Sequence, residues 1–176
     1  MVIKRIKVGS YRANCYIIIK DKACLVVDPG DEYERIIEYI GNLELKGILI
    51  THYHFDHVGA LKELLSKYNV SIYDYKKEGN NVVDIFNFDI IINKGHASDC
   101  VSFYFKDDKI LFTGDFLFKG TIGRTDLETS NDKDMYESLK MIRTYAEDII
   151  IYPGHGHEST LGYEFKNNPY LREFNH

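Results

Sequence analysis

Thr51-His52-Tyr53-His54-Phe55-Asp56-His57-Val58-Gly59 packs three histidines and an aspartate into six positions. The apolar run before it, Gly47-Ile48-Leu49-Ile50, has the length and composition of a short buried strand. After it, Val58, Leu61, Leu64, Leu65 and Tyr68 recur at helical spacing, which predicts a helix from about His57 to Tyr68. The cluster therefore falls on a strand-to-helix turn, the place where open α/β folds put their sites. A single histidine is more often a surface or satisfied core residue. Four ligand-type side chains in one turn are another matter, because imidazole and carboxylate together suit Zn²⁺ and Fe²⁺. His52 and His54, two apart, can reach one ion. Asp56 and His57 are adjacent and suit a second.

Upstream, Val2 to Val8, Ala13 to Lys20 and Ala23 to Val27 read as strands, rich in β-branched residues and joined by short turns. Asp28-Pro29-Gly30 ends the third. Glu32 to Ile40 reads as a helix with Ile36, Ile37 and Ile40 on one face and Gly41 as its cap. Beyond the cluster, strands are expected at Val70 to Tyr75 and Phe86 to Asn93, with a turn at Glu78-Gly79-Asn80-Asn81 between them. Val101 to Lys106 and Lys109 to Phe112 form a hairpin pattern around Asp107-Asp108. Asp132 to Tyr145 reads as a helix and Ile149 to Tyr152 as a last strand. A final helix within Glu158 to Leu171 is limited by Pro169. Locally pairing strands followed by a helix, in two halves, predict two sheets packed face to face with helices outside, in one domain over 1–176. Periodicity alone reaches only α/β or α+β.

With 44% hydrophobic residues the chain can build a sizeable core and is not disordered. A net charge of −5 and scattered lysines and arginines argue against nucleic acid as a partner. No apolar run approaches the roughly 18 residues of a membrane span, and no signal peptide is visible at Met1 to Ser10. Three widely spaced cysteines, Cys15, Cys24 and Cys100, read as reduced thiols in a cytoplasmic protein. The expected partner is a small-molecule substrate, and the oligomeric state is open.

Four blocks together, His52-Tyr53-His54-Phe55-Asp56-His57, Gly95-His96, Thr113-Gly114-Asp115 and Pro153-Gly154-His155-Gly156, resemble metallo-β-lactamase-fold hydrolases, in that family's order and over almost the whole chain. More closely the chain resembles single-domain relatives of glyoxalase II, the hydroxyacylglutathione hydrolases. The resemblance implies an αββα sandwich of four layers. It implies a first metal site of His52, His54 and His96, a second of Asp56, His57 and His155, and Asp115 as the bridge. Two Zn²⁺ are implied, with Fe or Mn also admitted. On its own His96 is a weak signal, and Asp115 would read as a cap or turn residue. The family's Thr-Pro-Gly-Ser or Thr-Pro-Gly-His after the loop histidine is here Ala97-Ser98-Asp99-Cys100, so the loop's substrate contacts are not carried over.

The chemistry so implied is hydrolysis of a thioester or small ester. Two ions sharing a water lower its pKa to roughly 7, and the resulting hydroxide attacks a polarised carbonyl. Asp56 is the candidate to orient the nucleophile and take its proton. Asp28 either orients a ligand histidine or holds its turn. Arg124 either binds an anionic substrate or pairs with Asp126, the pair being favoured. Cys100 reads as a packing residue, and His157 and His176 as surface residues. Full-length glyoxalase II has an additional C-terminal helical domain that helps bind glutathione; none is seen up to His176, so thioester chemistry is implied more strongly than glutathione itself. The rivals are a persulfide dioxygenase with one iron on His52, His96 and Asp115, a lactonase or β-lactamase, and, from a different class, a non-catalytic module.

Overall fold

The computed structural model describes residues 1–173, so His176 lies outside the described residues. The chain begins with β1 (Val2–Val8), β2 (Ala13–Lys20) and β3 (Ala23–Val27), an antiparallel run. Helix α1 (Tyr33–Ile40) then carries it to β4 (Glu44–Leu49), which lies parallel to β3. Two short helices, α2 (Phe55–Val58) and α3 (Leu61–Lys67), lead to β5 (Ser71–Tyr73), parallel to β4. These strands form one sheet in the order β1-β2-β3-β4-β5.

The second sheet starts with β6 (Gly79–Val83), β7 (Phe86–Ile92), β8 (Val101–Phe105) and β9 (Ile110–Gly114), each antiparallel to the last. A small hairpin, β10 (Leu117–Phe118) and β11 (Thr121–Ile122), precedes α4 (Asp132–Ile142). Then β12 (Ile150–Pro153) returns parallel to β9, followed by β13 (Ser159–Thr160), α5 (Leu161–Asn167) and α6 (Pro169–Arg172). The sheet order is β13-β12-β9-β8-β7-β6.

Period-2 alternation decides which face each side chain joins. On the first sheet Tyr16, Ile18, Leu25 and Val27 turn inward. There they meet Phe88, Phe103, Phe105 and Phe112 of the second, an aromatic-rich core between the sheets. Their neighbours Cys15, Ile17, Cys24 and Val26 turn outward and are covered by Ile36 and Ile40 of α1 and Leu64 of α3. On the second sheet's outer face Leu111 and Ile151 are covered by Met135, Leu139 and Ile142 of α4 and by Leu161, Phe165 and Leu171. Both faces of the central strands are buried, which is why β3 and β9 read as unbroken apolar runs. The result is the expected four-layer αββα sandwich, in the α/β (α+β) class.

Three local expectations need correction. The turn assigned to Glu78-Asn81 is instead the start of β6; the reversal comes at Asp84-Ile85, with Asp84 at φ 55°. Glycine and asparagine are poor strand formers, but Asn80 Nδ2 donates across the pair to Asn87 and Asp89, which compensates at this edge. The helix expected from His57 to Tyr68 is broken at Gly59-Ala60. Here the chain presses on the Asp28-Gly30 turn: a Cβ at Gly59 would stand 2.2 Å from the Gly30 carbonyl oxygen, and Ala60 N–H donates to Pro29. The last helix divides at Asn168, whose side chain caps the second segment, with Pro169 at its first turn.

Candidate metal centre

All seven ligand-type residues singled out above meet at one end of the sandwich. Strand β4 ends at Leu49 and delivers the 52–57 turn; β7, β9 and β12 end before His96, Asp115 and His155 respectively. His52, His54 and His96 form one group whose ligand atoms lie within 4.8 Å of one another. Asp56, His57 and His155 form another, and His52, His57 and Asp115 a third that joins them. Each group contains a residue beyond His52, His96 and Asp115.

The ring orientations are fixed from behind. Asp28 accepts from the Thr51 amide (2.8 Å) and hydroxyl (2.6 Å), and its Oδ2 stands 2.9 Å from His57 Nδ1. Because the Thr51 hydroxyl gives its proton to Asp28, its oxygen is the acceptor for His52 Nδ1, 3.0 Å away. His96 Nδ1 donates to the Arg124 carbonyl oxygen at 2.9 Å. A carboxylate and a carbonyl can only accept, so each of these three rings carries its proton on Nδ1 and can present a lone pair at Nε2. Asp28 thus both holds its turn, at φ 49°, and orients a histidine.

Among the described residues, three buried atoms in the cluster, His52 Nε2, His57 Nε2 and Asp115 Oδ1, make no well-directed hydrogen bond, the last two facing each other at 3.3 Å. Leaving polar atoms buried and unpaired is costly, and here they converge on shared space. His96 Nε2 and His54 Nδ1 face each other at 3.0 Å. Asp115 Oδ1 is 3.3 Å from His57 Nε2, and Oδ2 is 3.6 Å from His96 Nε2 and 3.5 Å from His155 Nε2. Lone pairs of imidazole around a central carboxylate fit a cation site, and a divalent pair in particular.

Electrostatics agree. Burial pushes the His52 pKa well below the ordinary histidine value, with the neighbouring histidines adding to it, so that ring is neutral and able to ligate. Burial also opposes charge on His57, but the Asp115 and Asp28 carboxylates outweigh it and hold its pKa well above the usual value. Burial alone would raise Asp115; the His57 contact and the other histidines instead hold it below the carboxylate range. This pocket stabilises positive charge at His57 Nε2, and a metal ion there would replace the proton.

Backbone packing leaves no slack around Asp115. A Cβ at Gly154 would stand 2.2 Å from its Oδ1 and 2.8 Å from His57 Cε1. The His96 loop leans on α4 in the same way: Gly95, at φ 144°, lies where a Cβ would meet Met135 backbone at 2.5 Å, and its carbonyl accepts from Asn131 N–H. In the atypical loop after His96, Asp99 accepts from the Tyr53 amide at 3.1 Å, while Cys100 is buried and free. Arg124 makes its internal pair, Nε and Nη2 donating to Asp126 at 2.6 and 2.8 Å. His157 is exposed.

Sequence reasoning missed the supports of His155. Asn14 Nδ2 donates to the carbonyls of Pro153 (2.9 Å) and Gly156 (3.1 Å), bracketing that histidine. Tyr16 Oη donates to Pro153 (2.6 Å) and Asn14 N–H to Gly154 (2.7 Å). The one signal available was a polar Asn14 inside an otherwise apolar strand. Thr51 only flanks the motif in the sequence, and its bond to Asp28 leaves no trace there.

A cavity of about 840 Å³ opens over the cluster, within the range of small-molecule sites. Among the described residues no helix is long and apolar enough to cross a membrane.

The sequence is 32% identical to a probable metallo-hydrolase of Bacillus subtilis, over 97% of this chain and 98% of that protein. It is 33% identical to a hydroxyacylglutathione hydrolase of Haemophilus influenzae, again over 97% and 98%. Among solved structures, the BLEG-1 B3 metallo-β-lactamase superposes with a TM-score of 0.92 at 28% identity, over 97% of this chain and 99% of that one. TTHA1623, solved in a di-iron-bound form, does so with 0.87 at 28%, over 96% and 100%. The family model described as the metallo-beta-lactamase superfamily matches residues 8–84 and 78–155. With its two facing sheets and its histidine and aspartate cluster at their shared end, the chain belongs to the metallo-β-lactamase superfamily and is a metal-dependent hydrolase of that kind.

Proposed function

We propose that this protein hydrolyses thioesters in the manner of glyoxalase II, the hydroxyacylglutathione type, with two divalent ions, zinc first, held by His52, His54, His96, Asp56, His57, His155 and the bridging Asp115. The observation that carries it is the set of unpaired buried atoms, His52 Nε2, His57 Nε2 and Asp115 Oδ1, at the meeting point of the three ligand groups. Similarity to a hydroxyacylglutathione hydrolase over nearly the full chain supports the thioester.

Bound there, the ions would supply an acidified water at about neutral pH and polarise the substrate carbonyl. The chain's own groups do the rest. Asp56, whose Oδ2 lies 3.2 Å from His155 Nε2, is held ionised by that contact against the effect of burial, and so can accept the water's proton. The Asp28–Thr51 relay keeps His52 and His57 from rotating. In the net reaction water's oxygen bonds to the acyl carbon and the C–S bond breaks. Asp56 hands the proton it took from water to the leaving sulfur, which gives the thiol, and the new acid ionises to a carboxylate, releasing the second proton to solvent.

The same reading takes residues 1–176 as one domain, the substrate as a small molecule, and the setting as the cytoplasm, where the buried free Cys15, Cys24 and Cys100 stay reduced. Metal content of freshly purified protein, with a screen of thioesters, lactones, a β-lactam and persulfides, tests it. Two ions per chain and thioester turnover are expected. One iron with oxygen uptake on persulfides would replace this reading by a dioxygenase, and lactone turnover alone by a lactonase.

A further inference from the structure

The cavity over the cluster is walled by aromatic pairs. At the β1–β2 turn Tyr11 meets Phe55 edge to face, ring centroids 5.1 Å apart, and the two are 63% and 67% exposed. Tyr53 and Tyr75, which line the same cavity, stand perpendicular at 6.5 Å. Tyr53 is fixed at both ends: its hydroxyl donates to Asp74 at 2.6 Å and its amide to Asp99. Large apolar surfaces gathered at one mouth, rather than scattered, mark a contact surface.

Carboxylates outnumber cations at this mouth. Asp99 and Glu128 line it beyond the ligand carboxylates. Arg124 also lines it, but its guanidinium is held in the fork of Asp126. Lys76 stands over the Tyr75 ring at 5.5 Å. Lys119 and His157 belong to a separate groove beyond His155.

We infer that the arm flanking the scissile carbonyl is uncharged and apolar, an aromatic thiol by preference, and that the Tyr11–Phe55 pair grips it. This rests on the thioester reading and names its substrate class. An aromatic arm gains ring contacts with residues that line this cavity. Glutathione brings two carboxylates and one ammonium, a net negative charge, to a rim that carries Asp99 and Glu128, and like charges at a half-enclosed mouth repel.

The test uses the metal-loaded full chain and two thioesters sharing the lactoyl group, of benzyl mercaptan and of glutathione. Their non-hydrolysable ketone analogues, with methylene in place of sulfur, are measured by calorimetry. The benzyl analogue is expected to bind about tenfold tighter. Tyr11→Ala, far in sequence from the ligands, should weaken it about fivefold and leave the glutathione analogue unchanged. Glu128→Lys, at an exposed position, should tighten the glutathione analogue alone. In turnover these effects should appear in KM. Tighter binding of the glutathione analogue, or equal weakening of both by Tyr11→Ala, overturns the inference. So does a glutathione preference abolished by Lys119→Ala, which would put the arm in the groove beyond His155. If the benzyl ketone binds as expected but neither thioester is cleaved, the thioester reading fails and the aromatic lip stands.

Discussion

The two halves of the molecule build the same centre by different means. The first half contributes His52, His54, Asp56 and His57 from a single turn after β4. The second contributes His96, Asp115 and His155, one from each of three separate strand ends. In the first half one short segment and one buried carboxylate, Asp28, set most of the geometry. In the second, each residue depends on contacts made across the fold: His96 on the Arg124 carbonyl, Asp115 on Gly154, His155 on Asn14 and Tyr16 of the opposite sheet. A compact motif is robust because local chain geometry does the positioning. A dispersed set is only as accurate as the packing between the sheets.

Asp115 is where the halves meet, so its loss should erase the distinction. In Asp115→Ala both ions should be lost and turnover should fall by more than about a thousandfold. Metal analysis after dialysis, with kcat/KM on the best thioester, measures this. Retention of one tightly held ion would show that the two groups are independent and that Asp115 does not bridge.

Within the first half, Asp28→Asn is expected to weaken metal affinity about 10–100-fold, with the ion on His57 most affected. Asparagine tolerates the positive φ at this position, so the turn should survive and only the carboxylate's hold on His57 and Thr51 is removed. Competition with a chelator reads the affinity. Unchanged affinity would make Asp28 purely a turn residue.

The matching change in the second half is Asn14→Ala. The Pro153 and Gly156 carbonyls keep partial cover from Tyr16 and Arg5, so the expected cost is about 1–2 kcal/mol in denaturant unfolding. Affinity for the ion on His155 should fall about tenfold while the His52, His54 and His96 group is spared. Equal weakening of both ions would mean that the sheets move as one unit and the contrast between halves has no energetic content.

This contrast also explains what was legible in the sequence. The 52–57 turn announces itself by spacing, and β-branched runs joined by short turns give the first three strands almost residue by residue. His96, Asp115 and His155 have no spacing that links them; alone His96 is a weak signal and Asp115 reads as a cap or turn residue, and only likeness to a family joins the three to the turn. The clamp of Asn14 on the 153–156 segment spans more than 130 residues of sequence and leaves no periodic trace. The helix break at Gly59 was hidden for the same reason, because its cause is the approach of Gly30 from another loop.

The smallest effect is expected at the residue that most invites misreading. Cys100 follows His96 by four positions, and a thiolate is a good zinc ligand. Yet it is 2% exposed, burial pushes its thiol pKa far up, and its sulfur belongs to none of the three ligand groups. Its backbone does the visible work: Cys100 N–H donates to Ala97 and its carbonyl accepts from Asn93, closing the loop that carries His96. Serine keeps both backbone bonds and nearly the same volume, but places a more strongly hydrated hydroxyl in a buried site. Cys100→Ser should therefore lose about 1–2 kcal/mol of stability in denaturant unfolding. Metal content and kcat/KM should stay within about twofold of the parent, because no ligand is touched. A Cys100→Ser protein that folds but holds fewer ions would make the thiol a ligand after all. The second half would then supply four donors, and its dependence on long-range packing would be weaker than the contrast between the halves implies.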